Sequence, residues 1–150
     1  MLIEFFIASL GTCGFGIIFN VRGLQLFYSS LGGGLAWIIY SILNQINLSS
    51  GVCFFTATTI LTIYSELISK YLKTVVTSIL IPGLIPLVPG SGIYYTMLAI
   101  IEKNPMDAFF KGLDTLSSAG SITIGIIFVS STVKIFKDLK KKKNDKDLHF

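Results

Sequence analysis

The stretch IPGLIPLVPGSGIYY, Ile81 to Tyr95, holds three of the chain's four prolines and three of its glycines inside an otherwise apolar run. Each proline removes a backbone donor and crowds the preceding turn, and each glycine loosens the chain further. One continuous helix through Pro82, Gly83, Pro86, Pro89, Gly90 and Gly92 is therefore not expected. The spacing predicts an apolar segment broken near residues 82–92, with a helix resuming at Ser91 or Gly92 and running on through IYYTMLAII.

The surroundings decide what such a break means. Of 150 residues, 52% are hydrophobic and 13% charged, and the mean hydropathy is +0.75, far from the balance of a water-soluble domain. With about 20 apolar residues needed per helical crossing, the chain has room for about five transmembrane helices and little else. The expected fold is an all-α integral membrane protein with one transmembrane domain, residues 1–136, and a lysine-rich tail, residues 137–150. Apolar stretches run from about Leu2 to Phe19, Leu31 to Ile46, Val52 to Leu72, Thr74 to Ile101 and Phe109 to Phe136. The fourth carries the break.

Six of the twelve basic residues fall between Lys137 and Lys146, without interleaved aromatics. That pattern suits anionic lipid headgroups and not nucleic acid. Placing the tail in the cytoplasm, with five crossings, puts Arg22, Lys70, Lys73 and all later lysines from Lys134 inside. Only Lys103 and Lys111 remain outside, and the N-terminus is external. A re-entrant loop at Ile81 to Gly92 would give four crossings and move Lys70 and Lys73 outward, a poorer fit. The first stretch has Glu4 and no basic residue before Arg22, unlike a cleaved signal. LGTC, Leu10 to Cys13, lacks the basic start of a lipoprotein leader. Cys13 and Cys53 have neither a C-x-x-C pattern nor a histidine nearby, so no metal or disulfide is expected.

In lipid, an unpaired backbone group costs several kcal/mol, and non-helical backbone at that depth survives only within protein or beside a water-filled cavity. The break is thus the candidate substrate site: Pro82, Gly83, Pro86, Pro89, Gly90, Ser91, Gly92 and the adjoining Tyr94 and Tyr95. A helix starting there offers free amides to a small carboxylate-bearing substrate. Glu66 and Asp114 are the intramembrane carboxylates considered for proton coupling, each near enough to an interface for simple hydration to compete. Ser91 lacks the flanking glycines of a nucleophile elbow, and the single histidine, His149, lies in the tail, so no enzyme is expected. No phosphate-binding loop ending in Lys-Ser or Lys-Thr occurs, and no cofactor is expected. Small residues four apart, Ala8, Thr12 and Gly16 and again Ser117, Ser121 and Gly125, together with Gly32 to Gly34, allow close helix packing within the chain or against another subunit.

The runs FNVRGLQLFYSSLGGGLAWIIY, IPLVPGSGIYYTM and AGSITIGIIF together resemble the C-terminal membrane half of the threonine/serine exporter family, in its stand-alone small-subunit form. The resemblance covers about Gly16 to Phe128. Relatives often place a proline before the basic residue that follows the first span, where this chain has Val21 before Arg22, so no role is assigned to that loop. The resemblance implies a secondary exporter in the plasma membrane, driven by the proton motive force, that moves small amino acids or, in some split members, dicarboxylates. It also implies a larger partner subunit bringing about five further spans, which would complete an inverted pair around a midplane site. A homo-oligomer is the alternative assembly. A non-transporting scaffold or accessory protein is the alternative function, and a channel a weaker third, since no ring of charges is evident.

The orientation is directly testable. Reporters fused to the two ends should report opposite sides of the membrane, the N-terminus outside and the C-terminus inside. Both ends on one side would remove the five-crossing arrangement.

Overall fold

The computed structural model describes residues 1–147, with side chains as far as residue 139. Six α-helices and one short 3-10 turn make up the described chain: α1 (Leu2–Ile18), α2 (Leu24–Gln45), α3 (Ser50–Leu72), α4 (Thr77–Leu84), the turn Ile85–Leu87, α5 (Gly90–Ile101) and α6 (Pro105–Asp147). The all-helical fold expected from the sequence is present. Helices α2 and α3 and the segment Pro105–Leu139 of α6 are each long and apolar enough to cross a membrane. The pair α4–α5, bent by 45°, qualifies when taken together, and α1 is a shorter apolar helix.

Two boundaries differ most from the sequence reading. Helix α2 begins at Leu24, ahead of the expected Leu31, because LQLFYSS continues the helix without a breaker. Helix α6 runs unbroken past Phe136 to Asp147, so lysines of the tail extend the helix instead of forming a separate segment. Its 43 residues span roughly 65 Å, about twice the hydrocarbon thickness. Residues 148–150, including His149, lie outside the described residues.

Helix α2 is the hub. It packs on α1, α3, α4 and the 3-10 turn, while α6 packs on α3 and α5. What allows this is the run Gly32, Gly33, Gly34, all three buried. A Cβ added to Gly33 would collide with the Thr12 hydroxyl of α1, and one on Gly34 with Ser9 and Phe5 of the same helix. On another side of α2, a Cβ on Gly32 would lie 2.8 Å from the Tyr64 ring of α3. Lipid tails are as apolar as leucine, so close packing has to do what hydrophobic burial does in water. Thr12 makes itself compact by donating to Ala8 O at 2.9 Å, within its own helix. Tyr64 reaches across to donate to Tyr28 O at 2.9 Å.

The other small-residue face closes α6 onto α3. A Cβ on Gly51 would stand 3.0 Å from Ser121 Oγ and 3.8 Å from Ser117 Oγ, and one on Gly125 would stand 3.1 Å from Phe55 O. Both small-residue patterns thus serve contacts inside this chain. The core they enclose contains Ala36, Phe54, Ala57, Leu61, Leu80 and Leu87. Apolar side chains such as Leu2, Ile3, Leu10, Ile18, Leu67 and Leu116 are exposed around the outside, as a lipid-facing surface requires.

Replacing Gly33 with Ala should lower the thermal stability of the purified protein in detergent, by about 1–3 kcal/mol for overpacking. Thr12→Ala in the same chain should recover part of the loss by removing the hydroxyl the new methyl meets. Thermal unfolding followed by size-exclusion fluorescence would show it. An additive double mutant would mean that the two residues do not share one contact.

Candidate functional site

The residue before a proline is pushed from helical to extended backbone. Val88, before Pro89, obeys the rule with φ −61° and ψ 127°. Pro89 follows at φ −74° and ψ 58°, outside the helix, and caps α5. The other two prolines do not break the chain. Pro82 lies within α4 and Pro86 within the 3-10 turn, so the interruption expected over residues 82–92 narrows to Val88 and Pro89.

Packing explains the difference. Pro82, Gly83 and Leu87 are buried. A Cβ on Gly83 would lie 3.1 Å from Leu61 of α3 and 3.7 Å from Gly33 N of α2. Ser29 of α2 donates its hydroxyl to Ile79 O at 2.9 Å, so a neighbouring helix ties down the backbone just ahead of Pro82. Such help from neighbours is how a proline-bearing helix persists in lipid. Beyond Leu87 that support ends, and the chain turns.

Helix α5 begins at Gly90, one residue ahead of the nearer expected start, Ser91. The Gly90 N–H turns back onto Val88 O at 2.7 Å, and the Ile93 N–H donates to Pro89 O at 3.2 Å. Among the described residues, the Ser91 and Gly92 amides have no backbone acceptor and no side chain caps the helix. Two free donors at the positive end of a helix can hold a carboxylate. Gly90 therefore contributes space and no donor. Nor does either glycine use a left-handed conformation: Gly23, with φ +63°, is the glycine of positive φ among the described residues.

The nine candidate residues fall into four groups. Pro82 and Gly83 belong to the core. Pro86 and Pro89 are half-buried at the break, while Gly90, Ser91, Tyr94 and Tyr95 are exposed. Gly92 faces α6, where an added Cβ would collide with the Thr115 hydroxyl, whereas one on Gly90 meets nothing within 4 Å. The Tyr95 ring lies 5.7 Å from Lys111 Nζ of α6 and packs edge-on against Tyr94, at 5.3 Å between centroids. Helix α5 rests almost wholly on α6. The site is thus a wall open on one side.

Two grooves flank the break. One, of about 420 Å3, lies between α1, α2 and the 3-10 turn and is lined by Glu4, Ile7, Ala8, Gly11, Trp37, Ile85 and Pro86. The other, of about 360 Å3, runs between α5 and α6 from Val88 and Pro89 to Gly112, Thr115 and Ala119.

The two carboxylates considered for proton coupling differ sharply. Glu66 on α3 is buried, 8% exposed, and its Oε2 lies 3.4 Å from Lys137 Nζ of α6. It is paired instead of simply hydrated. Asp114 on α6 is exposed. Around Glu66 runs a buried polar face of α3, Thr58, Thr62, Ser65 and Ser69. The Thr58 and Ser65 hydroxyls have no partner. Its spacing of four, three and four residues was readable in the sequence as a helical stripe. Glu4, an acid in the first turn of α1, is marked as a site residue by no local sequence pattern. Its partner Ser41, whose hydroxyl donates to Glu4 Oε2 at 2.9 Å, stands 37 residues away, and only the fold brings them together.

The family described as Threonine/Serine exporter, ThrE matches residues 4–132, a range that takes in α1 through most of α6. No curated protein and no solved structure matches the chain.

The two glycines at the start of α5 should respond differently to a methyl group. Gly90→Ala should leave stability unchanged or slightly raised, since the site is open and Ala favours helix by about 1 kcal/mol. Gly92→Ala should destabilise, because Thr115 must move. Thermal unfolding of the two variants side by side checks this, and equal behaviour would contradict the α5–α6 contact.

Proposed function

The chain belongs to the threonine/serine exporter family, and on that footing we propose that it is the small membrane subunit of a two-component secondary exporter. The family is one of exporters and not of enzymes, and the substrates proposed are small amino acids such as threonine and serine, or dicarboxylates. The observation that carries the reading is the pair of free amides at Ser91 and Gly92, beside a break in an apolar span. Every substrate of these classes has a carboxylate for them to hold.

The open side of the site supports a larger membrane subunit as the second wall. Helix α5 leans on α6 and leaves Tyr94, Tyr95 and Met97 exposed. A repeat-related half of opposite orientation would cover that face and enclose a site at the midplane, as inverted-repeat transporters do. A second copy of the chain is the competing assembly. The bend of 45° supports a single broken crossing, since a re-entrant loop would reverse direction. A five-crossing arrangement with the N-terminus outside and the C-terminus in the cytoplasm is the one supported by the lysine excess, which then lies inside; the exporter family supports the plasma membrane as its location.

Coupling to the proton motive force needs a group that gains and loses a proton between the two faces. Glu66 suits the part better than Asp114. It is buried, its pairing joins α3 to the far end of α6, and unpartnered hydroxyls extend from it along α3.

Gly90→Ala is the test, because a Cβ there meets nothing within 4 Å. In vesicles holding the chain and its larger subunit, efflux of labelled threonine, serine or succinate should fall at least about tenfold, through lost approach of substrate to the helix terminus. Protein level and assembly should be unchanged. Normal efflux would mean that the break serves packing alone.

A further inference from the structure

We propose that the groove between α1, α2 and the 3-10 turn is a binding subsite for a primary ammonium group, with Glu4 as its anion. The inference rests on the exporter reading and sharpens it, since an amino acid has an ammonium group and a dicarboxylate has none.

Four observations converge. First, Glu4 is the one ionisable side chain among the residues lining the groove, and no basic residue lines it. Second, its carboxylate is held in place yet left partly free. Ser41 donates to Oε2 at 2.9 Å, while Oε1 lies 3.6 Å from the Met1 nitrogen, beyond hydrogen-bond length. Third, Trp37 lines the same groove, and an indole face attracts a cation that leaves water. Fourth, the groove ends on Ile85 and Pro86, immediately before the Val88–Pro89 break.

The helical register explains how the groove is built. Glu4, Ile7, Ala8 and Gly11 fall three and four apart on one face of α1. Gly11 keeps the middle empty, since a Cβ there would meet nothing within 4 Å. A volume of about 420 Å3 is ample for a small amino acid. A dicarboxylate would meet Glu4 as a like charge, and no basic side chain lines the groove. The free amides of α5 take a carboxylate of either substrate class, so discrimination would fall to this groove.

The shared chemistry, a primary ammonium, could come from a free solute or from the headgroup of phosphatidylethanolamine. The proposal is the solute. Binding of labelled L-threonine, L-threonine methyl ester and succinate is measured on the full chain, with its larger subunit, in phosphatidylglycerol vesicles with and without phosphatidylethanolamine. Glu4→Gln should weaken both ammonium-bearing ligands about tenfold or more, the worth of a charged hydrogen bond, and leave succinate no weaker. Gly11→Leu, whose Cβ would meet nothing within 4 Å, should block the two ammonium-bearing ligands in protein that remains monodisperse.

Threonine binding that is indifferent to Glu4→Gln and to Gly11→Leu would overturn the subsite while leaving the exporter reading intact. Glu4-dependent binding of the methyl ester without any threonine flux would sustain the subsite and remove the exporter reading. Phosphatidylethanolamine that copurifies with the natural chain but not with Glu4→Gln, with threonine binding unaltered in its absence, would identify a lipid occupant and overturn the proposal.

Discussion

Everything in this molecule depends on three consecutive residues of α2 that have no side chains. Helices in lipid gain nothing by hiding apolar surface from one another, so they associate through close contact and the hydrogen bonds that contact permits. At Gly32, Gly33 and Gly34 the surface of α2 is bare backbone, and α1, α3 and α4 each come up to it. Thr12 fills the space over Gly33, Phe5 and Ser9 that over Gly34, and Tyr64 that over Gly32. Helix α4 comes close enough for Gly83 to face Gly33 N. Side chains on α2 at these positions would push all three neighbours outward.

From that hub the position of the break follows. Because α4 is held against α2 and α3, by Gly83 and by the Ser29 bond to Ile79 O, the helix tolerates Pro82. Leu87 seals the last supported turn in the core. Past it, the rule for a residue preceding proline acts unopposed at Val88, and the chain departs by 45°. The free amides of Ser91 and Gly92 are the direct product of this contest between packing and proline chemistry. So is the arrangement of the grooves: one opens on Ile85 and Pro86, the other on Val88 and Pro89.

The charged groups are placed by the same scaffold. Glu66 and Lys137 tie α3 to the far end of α6, across 71 residues of sequence. Glu4 and Ser41 tie the start of α1 to the end of α2. Each pair spans two helices that the small residues draw together, one at Gly51 and Gly125, the other at Gly33 and Gly34. Ionisable groups in lipid need such partners, and close helix packing is what supplies them.

The sequence by itself determined the class, an all-helical membrane chain, because the length and apolarity of a helical segment are local properties that lipid selects directly. It also determined that the fourth segment could not be one straight helix, since the prolines and glycines act on their own backbone. The candidate residues Gly90, Ser91 and Gly92 were legible for that reason. The tertiary structure decided which proline breaks the chain, because neighbours across the bundle, Ser29, Gly33 and Leu61, hold the others helical. It decided that Gly92 serves the contact with Thr115 while Gly90 stands open, a distinction that two glycines in a string of letters cannot carry. It also brought Glu4 to Ser41 and the groove. That meeting depends on two helices crossing at a particular register, and register is set by packing between segments distant in sequence, which no local pattern encodes.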